Sequence, residues 1–511
     1  MLKIYTQEQI FNLEQSATSA KGNCSSLDLC EQMSNAFCAQ FQRDFKGTHR
    51  IVIFAGPGAN GALALAIGRI LSNFNHTIEA VVLNPSGLLS DDCLINQRRL
   101  SQNQANVNVR EVTTSFNPPI IQPEDIVIDG MCGIEMNMPF EGDLANVARY
   151  VNKMAKTILS IDIPSGLMSE DNSNNNMENV IKATYTYTFH GPKLAFMLSD
   201  NAPYVGEWKV INIGLGDSQP DKRTKYYVFS SSDMEELPRR EKHTCKYDYG
   251  RVALIAGSQG MMGAAILAGR ACMRSGAGHL TVHIPNGTEH IIHTSLPEAV
   301  ISRDKHSEYF TMFDNAHIYD AIAIGPGLGR NFDSAAALEG LLCYYKKPII
   351  IDADAIHLLA SNKSLLNKLP EDSVLTPHVG EFDALVGTSS NDYERLMKAS
   401  QLAVDHRVNI ILKGAYTAVC SKSGRIIFNT SGNPGMATAG TGDVLTGTLL
   451  ALLGRGHSPL VASLFGTFIN GYAGNLYAND FSEESLIASD IIDYLPKVFK
   501  YFKSSDSFYG M

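Results

Sequence analysis

The stretch Asn433–Leu453 reads NPGMATAGTGDVLTGTLLALL. It sets glycines around a single aspartate and then turns strongly apolar. Gly435, Gly440 and Gly442 stand with Pro434 and two threonines, and from Val444 onward Leu445, Leu449 and Leu452 recur at helical spacing. The pattern predicts a helix that begins near Asp443 and ends near Gly454 to Gly456. A glycine loop that feeds a helix N-terminus exposes unpaired N–H groups at the positive end of the helix dipole, which is an anion site. Asp443 in the first turn is either a plain cap or a base. A cap needs one special residue rather than a whole loop. The number of glycines therefore favours a phosphate cradle with a carboxylate placed to deprotonate a hydroxyl.

Working outward, each neighbouring segment pairs a buried strand with a polar end. AIAIGPGLGRN, KPIIIDADAIHLL, EDSVLTPHVGEF and NIILKGAYTAVCS each finish in Gly, Asp or His. The first half repeats this with RIVIFAGPGANG, HTIEAVVLNPSG, EDIVIDGMCG and KTILSIDIPSG. Apolar runs without alternation, separated by helical segments, predict parallel sheets covered on both faces. Ligands of such sheets bind at the carboxyl ends of the strands, where Asn60, Asp129, Asp162 and Ser165 fall. Ser458 with Pro459 predicts the start of a late core helix. The polar stretch Ser169–Val180 reads as an exposed loop. A charged break between about Gly216 and Tyr249 reads as a linker, which predicts domains at 1–220 and 246–511 joined by 221–245.

The whole-chain numbers agree. With 511 residues the chain accommodates two or more cores. A net charge of −10 argues against a nucleic-acid-binding surface. Nine cysteines without a C-x-x-C pair read as reduced thiols rather than a disulfide framework or zinc knuckle. No apolar run is long enough to span a bilayer, and MLKIYTQEQIFNLEQ lacks a signal core. A cytoplasmic location without membrane attachment is expected.

Taken alone, the second-half residues keep alternatives open. Lys413 suits a nucleotide phosphate or is an ordinary surface lysine. His378 reads first as a structural hydrogen-bonder. Asp352 and Asp354 could bind magnesium through water, but capping the next helix is the favoured reading. No G-x-x-x-x-G-K-[ST] occurs, so the chain is not a P-loop protein.

From about Tyr247 onward the ordered segments YDYGRVALIAGSQGMMGAAILAGRACMRSGAGHLTV, IGPGLGRN, IIDADAIHLLA, LTPHVGEF, LKGAYT and NPGMATAGTGDVLTG resemble the ADP/ATP-dependent NAD(P)H-hydrate dehydratases. The first half, through YTQEQIFNLEQ, GPGANG, DIVIDGMCG, SIDIPSG, TFHGPKLAFM and YVGEWKVINIGLG, resembles the NAD(P)H-hydrate epimerases often fused in front of them. The resemblance implies two α/β domains, an N-terminal Rossmann-like three-layer sandwich and a C-terminal ribokinase-like three-layer sandwich. It implies phosphorylation of the hydroxyl of S-NADHX or S-NADPHX by ADP (or ATP) with Mg2+, then loss of phosphate. It assigns the hydroxyl proton to Asp443. It places the hydrate at Ala264, Gly327 and His378, and the adenine nucleotide at Lys413, Gly414, Ala415, Tyr416 and Thr417 with Gly440, Thr441 and Gly442. In the first domain it places the hydrate at Asn60, Gly61, Gly133 and Asp162, with Asp162 handling the proton, and K+ at Asn60, Asp129 and Ser165. It also implies a homo-oligomer.

The first domain departs from its family's G-x-G-N-N-G-G-D-G. Here Gly56-Pro57-Gly58-Ala59-Asn60-Gly61-Ala62-Leu63-Ala64 puts Leu63 where an aspartate binds substrate, and MCGIEMNMP lacks the usual Phe-Gly-Thr-Gly. The epimerase is either weakened and kept as a structural domain or active with a rebuilt pocket, and impairment is favoured. A ribokinase-superfamily kinase for another alcohol, or a non-catalytic dinucleotide-binding scaffold, are the competing readings. LTPHVGEF and the fused first domain argue against the kinase.

Overall fold

The computed structural model describes residues 1–18, 24–85, 87–102, 106–113, 116–213, 224–234 and 240–502. It divides into two compact units, Lys3–Thr224 and Lys225–Met511 with Met1–Leu2.

In the N-terminal unit the predicted apolar runs form one parallel sheet. Its strands lie in the order Val107–Val112, Thr77–Leu83, Arg50–Ala55, Ile126–Gly130, Thr157–Ile161, Tyr185–Phe189 and Glu207–Ile211. Alternate residues of Arg50–Ala55 feed different cores. Ile51 and Ile53 pack with Leu65 and Phe37, while Val52 and Phe54 pack with Val147 and Val151. Both faces are therefore covered, which is why these strands read as continuous rather than alternating apolar runs. The chain builds outward from Arg50–Ala55 in one direction and then returns to its other side at Ile126–Gly130. The crevice at that switch point lies beyond the strand ends.

The C-terminal unit repeats the device. Arg251–Ile255 has His279–Ile284 and Val300–Arg303 on one side, and Ala321–Ile324, Ile349–Ile351, Val374–Leu375 and Asn409–Leu412 on the other, all parallel. Thr417–Cys420 then runs antiparallel to Asn409–Leu412 and to Ile426–Asn429. The helices Met262–Arg274, Thr441–Gly454, Pro459–Asp480 and Ala488–Tyr501 share one core with Val252, Leu254, Leu280 and Val282. Each such fully buried aliphatic side chain stabilises the unit by about 1.5–3 kcal/mol. The intervening Ala253 and Ile255 are also fully buried, so the opposite face is covered too.

The α/β architecture thus follows the sequence, with three local corrections. The decisive helix starts at Thr441, before Asp443. Tyr226–Phe229, expected within a linker, is a strand parallel to Ile426–Asn429. Its four residues were hidden between charged flanks, and the rest of 221–245 lies partly outside the described residues. Ser169–Val180 is not a featureless exposed loop. Ser169 and Asn179 are buried, Asn175 Nδ2 donates to the Gly166 carbonyl at 2.7 Å, and Asn179 Nδ2 donates to the Phe140 carbonyl at 2.8 Å. The asparagines read as solvated polarity but satisfy buried backbone. Among the described residues no helix is long and apolar enough to cross a membrane.

Candidate functional sites

In the C-terminal unit successive strand ends deliver the residues. Gly440 caps Thr441–Gly454 with φ 91° and carries no side chain to bond the first-turn N–H groups. A Cβ there would lie 2.6 Å from Leu267 Cδ1, so both backbone and packing demand glycine. The helix start is left with open donors, as an anion site requires. Thr441 turns its hydroxyl back onto the Thr438 carbonyl at 3.1 Å, so its side chain braces the loop.

Asp443 stands in that first turn. Burial, and then the charge of Asp352, push its carboxyl up to about 7, against the opposing pull of Lys413. A carboxyl that exchanges its proton near neutrality suits proton transfer from a hydroxyl. Lys413 follows Asn409–Leu412 and is pinned by its N–H to the Pro377 carbonyl. Its Nζ donates to Asp352 Oδ1 at 3.0 Å and lies 3.7 Å from Glu381 Oε2. Burial alone would lower the lysine. Asp352 and Glu381 reverse that and hold it above its ordinary value. A Cβ on Gly442 would sit 3.3 Å from Lys413 Nζ, so the anion loop and the lysine are neighbours. Gly414, Ala415 and Tyr416 form the turn that joins Lys413 to the strand beginning at Thr417.

His378 is the N-cap of Val379–Val386. Its Nδ1 accepts from the N–H groups of Gly380 at 3.0 Å and Glu381 at 3.3 Å, and Glu381 answers by accepting from the His378 N–H at 2.8 Å. The structural role read from the sequence is therefore present, and Nε2 lies 3.3 Å from Glu381 Oε1 while more than half of the side chain stays exposed. Ala264 and Gly327 are adjacent. A Cβ on Gly327, at φ 61°, would lie 3.1 Å from that of Ala264.

The capping expected of Asp352 and Asp354 is not found. The helix Asp354–Ser361 has no side-chain cap, and Ala353 precedes it at φ 49°. Asp354 instead accepts from Gly329 N at 3.0 Å and Arg330 Nε at 2.9 Å, tying the GPGLG loop down. Asp352 is buried and accepts from Lys413, from Thr376 Oγ1 at 2.6 Å and from Thr446 Oγ1 at 2.6 Å. A left-handed alanine between the two turns both carboxylates away from the helix end. Glu381, Thr376 and Thr446 were not singled out by the sequence. A TPH-x-x-E spacing is the capping-box signal that could have found Glu381.

In the N-terminal unit Asn60, Asp129 and Ser165 converge around Cys132. Asn60 Nδ2 donates to the Cys132 carbonyl at 2.8 Å and Ser165 Oγ donates to the same carbonyl at 3.0 Å. Asp129 Oδ2 accepts from Ser165 N and Ser160 Oγ, both at 2.8 Å. Asp129 is fully buried, burial pushes its carboxyl up, and the groups bonding it are uncharged. Asp129 is thus a buried carboxylate that no cationic side chain contacts, beside a Cys132 carbonyl that accepts from both Asn60 and Ser165.

Asp162 adopts φ 65°, an uncommon conformation for a non-glycine residue. Its Oδ1 accepts from Lys193 Nζ at 2.6 Å, Thr188 Oγ1 at 3.0 Å and Phe189 N at 3.0 Å. Burial pushes this carboxyl up, but the Lys193 ammonium outweighs that and holds it below the usual range. Lys193 is itself fully buried. Asp162, Asn60 and Gly133 line one cavity of about 310 Å³, whose wall includes Ala62, Leu63, Leu29 and Met33. Gly61 is not on that wall. A Cβ there would sit 1.8 Å from the Gly56 carbonyl oxygen, so it lets the helix start close on the preceding turn.

A family model described as NAD(P)H-hydrate dehydratase matches residues 252–497, and one described as YjeF-related protein N-terminus matches residues 26–195. A bifunctional NAD(P)H-hydrate repair enzyme from Moorella thermoacetica is 31% identical over 93% of this chain and 92% of its own length. The corresponding protein of Escherichia coli is 29% identical over 92% of this chain and 90% of its own. Among solved structures, an ADP/ATP-dependent NAD(P)H-hydrate dehydratase from Bacillus subtilis, co-crystallized with ATP/Mg2+, is 33% identical over 52% of this chain and 95% of its own, with a TM-score of 0.47.

Proposed function

This chain belongs to the family of bifunctional NAD(P)H-hydrate repair enzymes, and from that premise we propose how each unit works. The C-terminal unit transfers the β-phosphoryl group of ADP to the hydroxyl of S-NADHX or S-NADPHX and releases AMP. Asp443 takes the hydroxyl proton. The N–H groups of the Gly440–Gly442 loop and Lys413 hold the phosphoryl oxygens. Phosphate then leaves, where hydroxide could not, and loss of a proton from the adjacent ring carbon restores the double bond. Ala264, Gly327 and the exposed edge of His378 face the hydrate, and the Lys413–Thr417 turn faces the nucleotide. Magnesium bound to the nucleotide phosphates would neutralise charge there, since such sites take one or two carboxylates beside phosphate oxygens. The single observation that carries this reading is the meeting of a near-neutral carboxyl, an open helix start and a clamped lysine. Recovery of reduced-nicotinamide absorbance from purified S-hydrate tests it. We expect ADP to support turnover, and turnover with ATP alone would overturn the choice of ADP. No turnover with either nucleotide would overturn the reaction.

The N-terminal unit converts R-hydrate to S-hydrate slowly. Asn60, Asp129 and Ser165 hold potassium beside the Cys132 carbonyl, and a crystal grown in potassium without density there would contradict this. Slowness follows from Leu63. A carboxylate facing a substrate hydroxyl gives a charge-assisted hydrogen bond worth about 1.5–3 kcal/mol, or roughly one to two decades in rate, and leucine offers none. Leu63→Asp with Ala62→Gly and Ala64→Gly should speed R-hydrate consumption by about that factor in an assay coupled to excess dehydratase. If the unmodified chain already matches a relative with the intact loop, the pocket has been rebuilt rather than eroded.

A further inference from the structure

Asp352 has no role in the reading above, yet it is the most heavily bonded carboxylate among the residues at this site. It is 1% exposed and holds three donors from three separate elements. Thr376 follows Val374–Leu375, Lys413 follows Asn409–Leu412, and Thr446 lies in Thr441–Gly454. Thr446 is three residues beyond Asp443, so the two share a helix face one turn apart.

We propose that Asp352 is a positioning residue of the phosphoryl-transfer site, whose carboxylate fixes Lys413 to the helix that carries Asp443 and keeps that lysine off Asp443. The inference rests on the dehydratase reading of this unit. A lysine next to the anion loop has two anionic destinations within its field. One is Asp352, from the end of Ile349–Ile351, with Glu381 of Val379–Val386 behind it. The other is Asp443 itself, which Asp354 also faces. The lysine serves phosphate only while it is held clear of Asp443, and Asp443 takes a proton near neutrality only while the ammonium pulls on it from a distance rather than pairing with it directly. Asp352 enforces both conditions through Oδ1, while Oδ2 anchors the helix through Thr446. The positive φ at Ala353 places the carboxylate at this junction rather than at the helix cap that follows it. Strain of that kind persists where the surroundings over-determine it, and here three donors do so.

Removing the charge frees Lys413 to turn to Asp443. Asp352→Asn should then weaken ADP binding roughly tenfold, the loss of one charge-assisted contact, measured by calorimetry without hydrate. The acid limb of the kcat profile should move to lower pH, because a paired Asp443 ionises more readily, and kcat itself should fall. The loss of the Asp352 charge by itself also moves that limb down, so the variant whose limb reports the lysine is Thr446→Val, where a purely structural role would lower the amount of folded enzyme without moving it. Thr446→Val, which removes only the helix tether, should show part of both effects, and Thr446→Ser, which keeps the hydroxyl, should show neither. The threonine pair decides the matter if Asp352→Asn does not fold. ADP affinity and an acid limb unchanged in Thr446→Val, or in a folded Asp352→Asn, would overturn the proposal. If the unmodified chain fails to turn over hydrate, the dehydratase reading has failed, and ADP affinity alone then decides the positioning role.

Discussion

Asp443→Asn lowers dehydratase turnover by about three orders of magnitude or more, while ADP still binds and the fold is retained. General-base catalysis contributes roughly 10²–10⁴, and an amide cannot accept the hydroxyl proton. The unmodified enzyme should gain activity as pH rises through about 7, where the carboxyl ionises, and the residual activity of the variant should lack that limb. Stability moves the opposite way. The folded-state value lies above the ordinary 3.8 because burial and Asp352 disfavour the anion. Between those two values the folded chain binds a proton that the unfolded chain has released, so stability falls as pH rises and levels off above about 7. The asparagine variant escapes this loss. It should melt higher than the parent at pH 8 and show no such advantage at pH 4. A variant that keeps a tenth of the parent rate, or melts lower at pH 8, would remove Asp443 from the role of base.

How much of this was readable beforehand depended on whether a residue acts locally or through distant partners. Asn433–Leu453 announced itself because glycine spacing, a first-turn carboxylate and a leucine repeat are local properties, and the helix sits within two residues of its expected start. The strand ends carrying Asp129, Asp162 and Lys413, and the helix start carrying Asn60 just beyond another, are legible because doubly buried parallel strands leave long apolar runs. Capping by Asp352 and Asp354 is the local expectation, and one backbone angle defeats it. Ala353 takes φ 49° beside a carboxylate whose donors, Thr376, Lys413 and Thr446, are all distant in sequence. Gly61 packs its backbone against Gly56, a role the sequence does not reveal, because a glycine that admits a ligand and one that admits backbone look identical in a sequence. Lys193 stands in GPKLAF, and nothing in that motif distinguishes a fully buried lysine from a surface one.

That lysine supports the other large effect. Lys193→Met should destabilise the N-terminal unit by about 3–5 kcal/mol, the usual consequence of breaking a buried ion pair by removing one partner. Lys193 Nζ also donates to the Phe189 carbonyl at 3.0 Å and to Thr188 Oγ1 at 2.8 Å, so it ties the turn after Tyr185–Phe189 to the Asp162 carboxylate. With the ammonium present, Asp162 is held below its usual range despite its burial. The pair's contribution is therefore present above the ordinary carboxylate value and fades as pH falls through the depressed one. Without the ammonium, burial is opposed by the Phe189 N–H and by His190, and Asp162 becomes a less stable buried anion that is relieved by taking a proton. The penalty in the variant should accordingly be larger at pH 8 than at pH 4. Asp162→Asn combined with Lys193→Met removes both charges, and since a buried pair replaced as a whole is often close to neutral, the double variant should recover much of the stability lost by either single change. It should not recover R-hydrate conversion, because the carboxylate that lines the cavity is gone. Hydrogen exchange reads the unit separately from the rest of the chain, with the amides of Thr157–Ile161 and Tyr185–Phe189 as reporters and those of Asn409–Leu412 as an internal control. A penalty below about 1 kcal/mol, or one that is the same at both pH values, would mean that Lys193 fills space beside Asp162 without holding its charge.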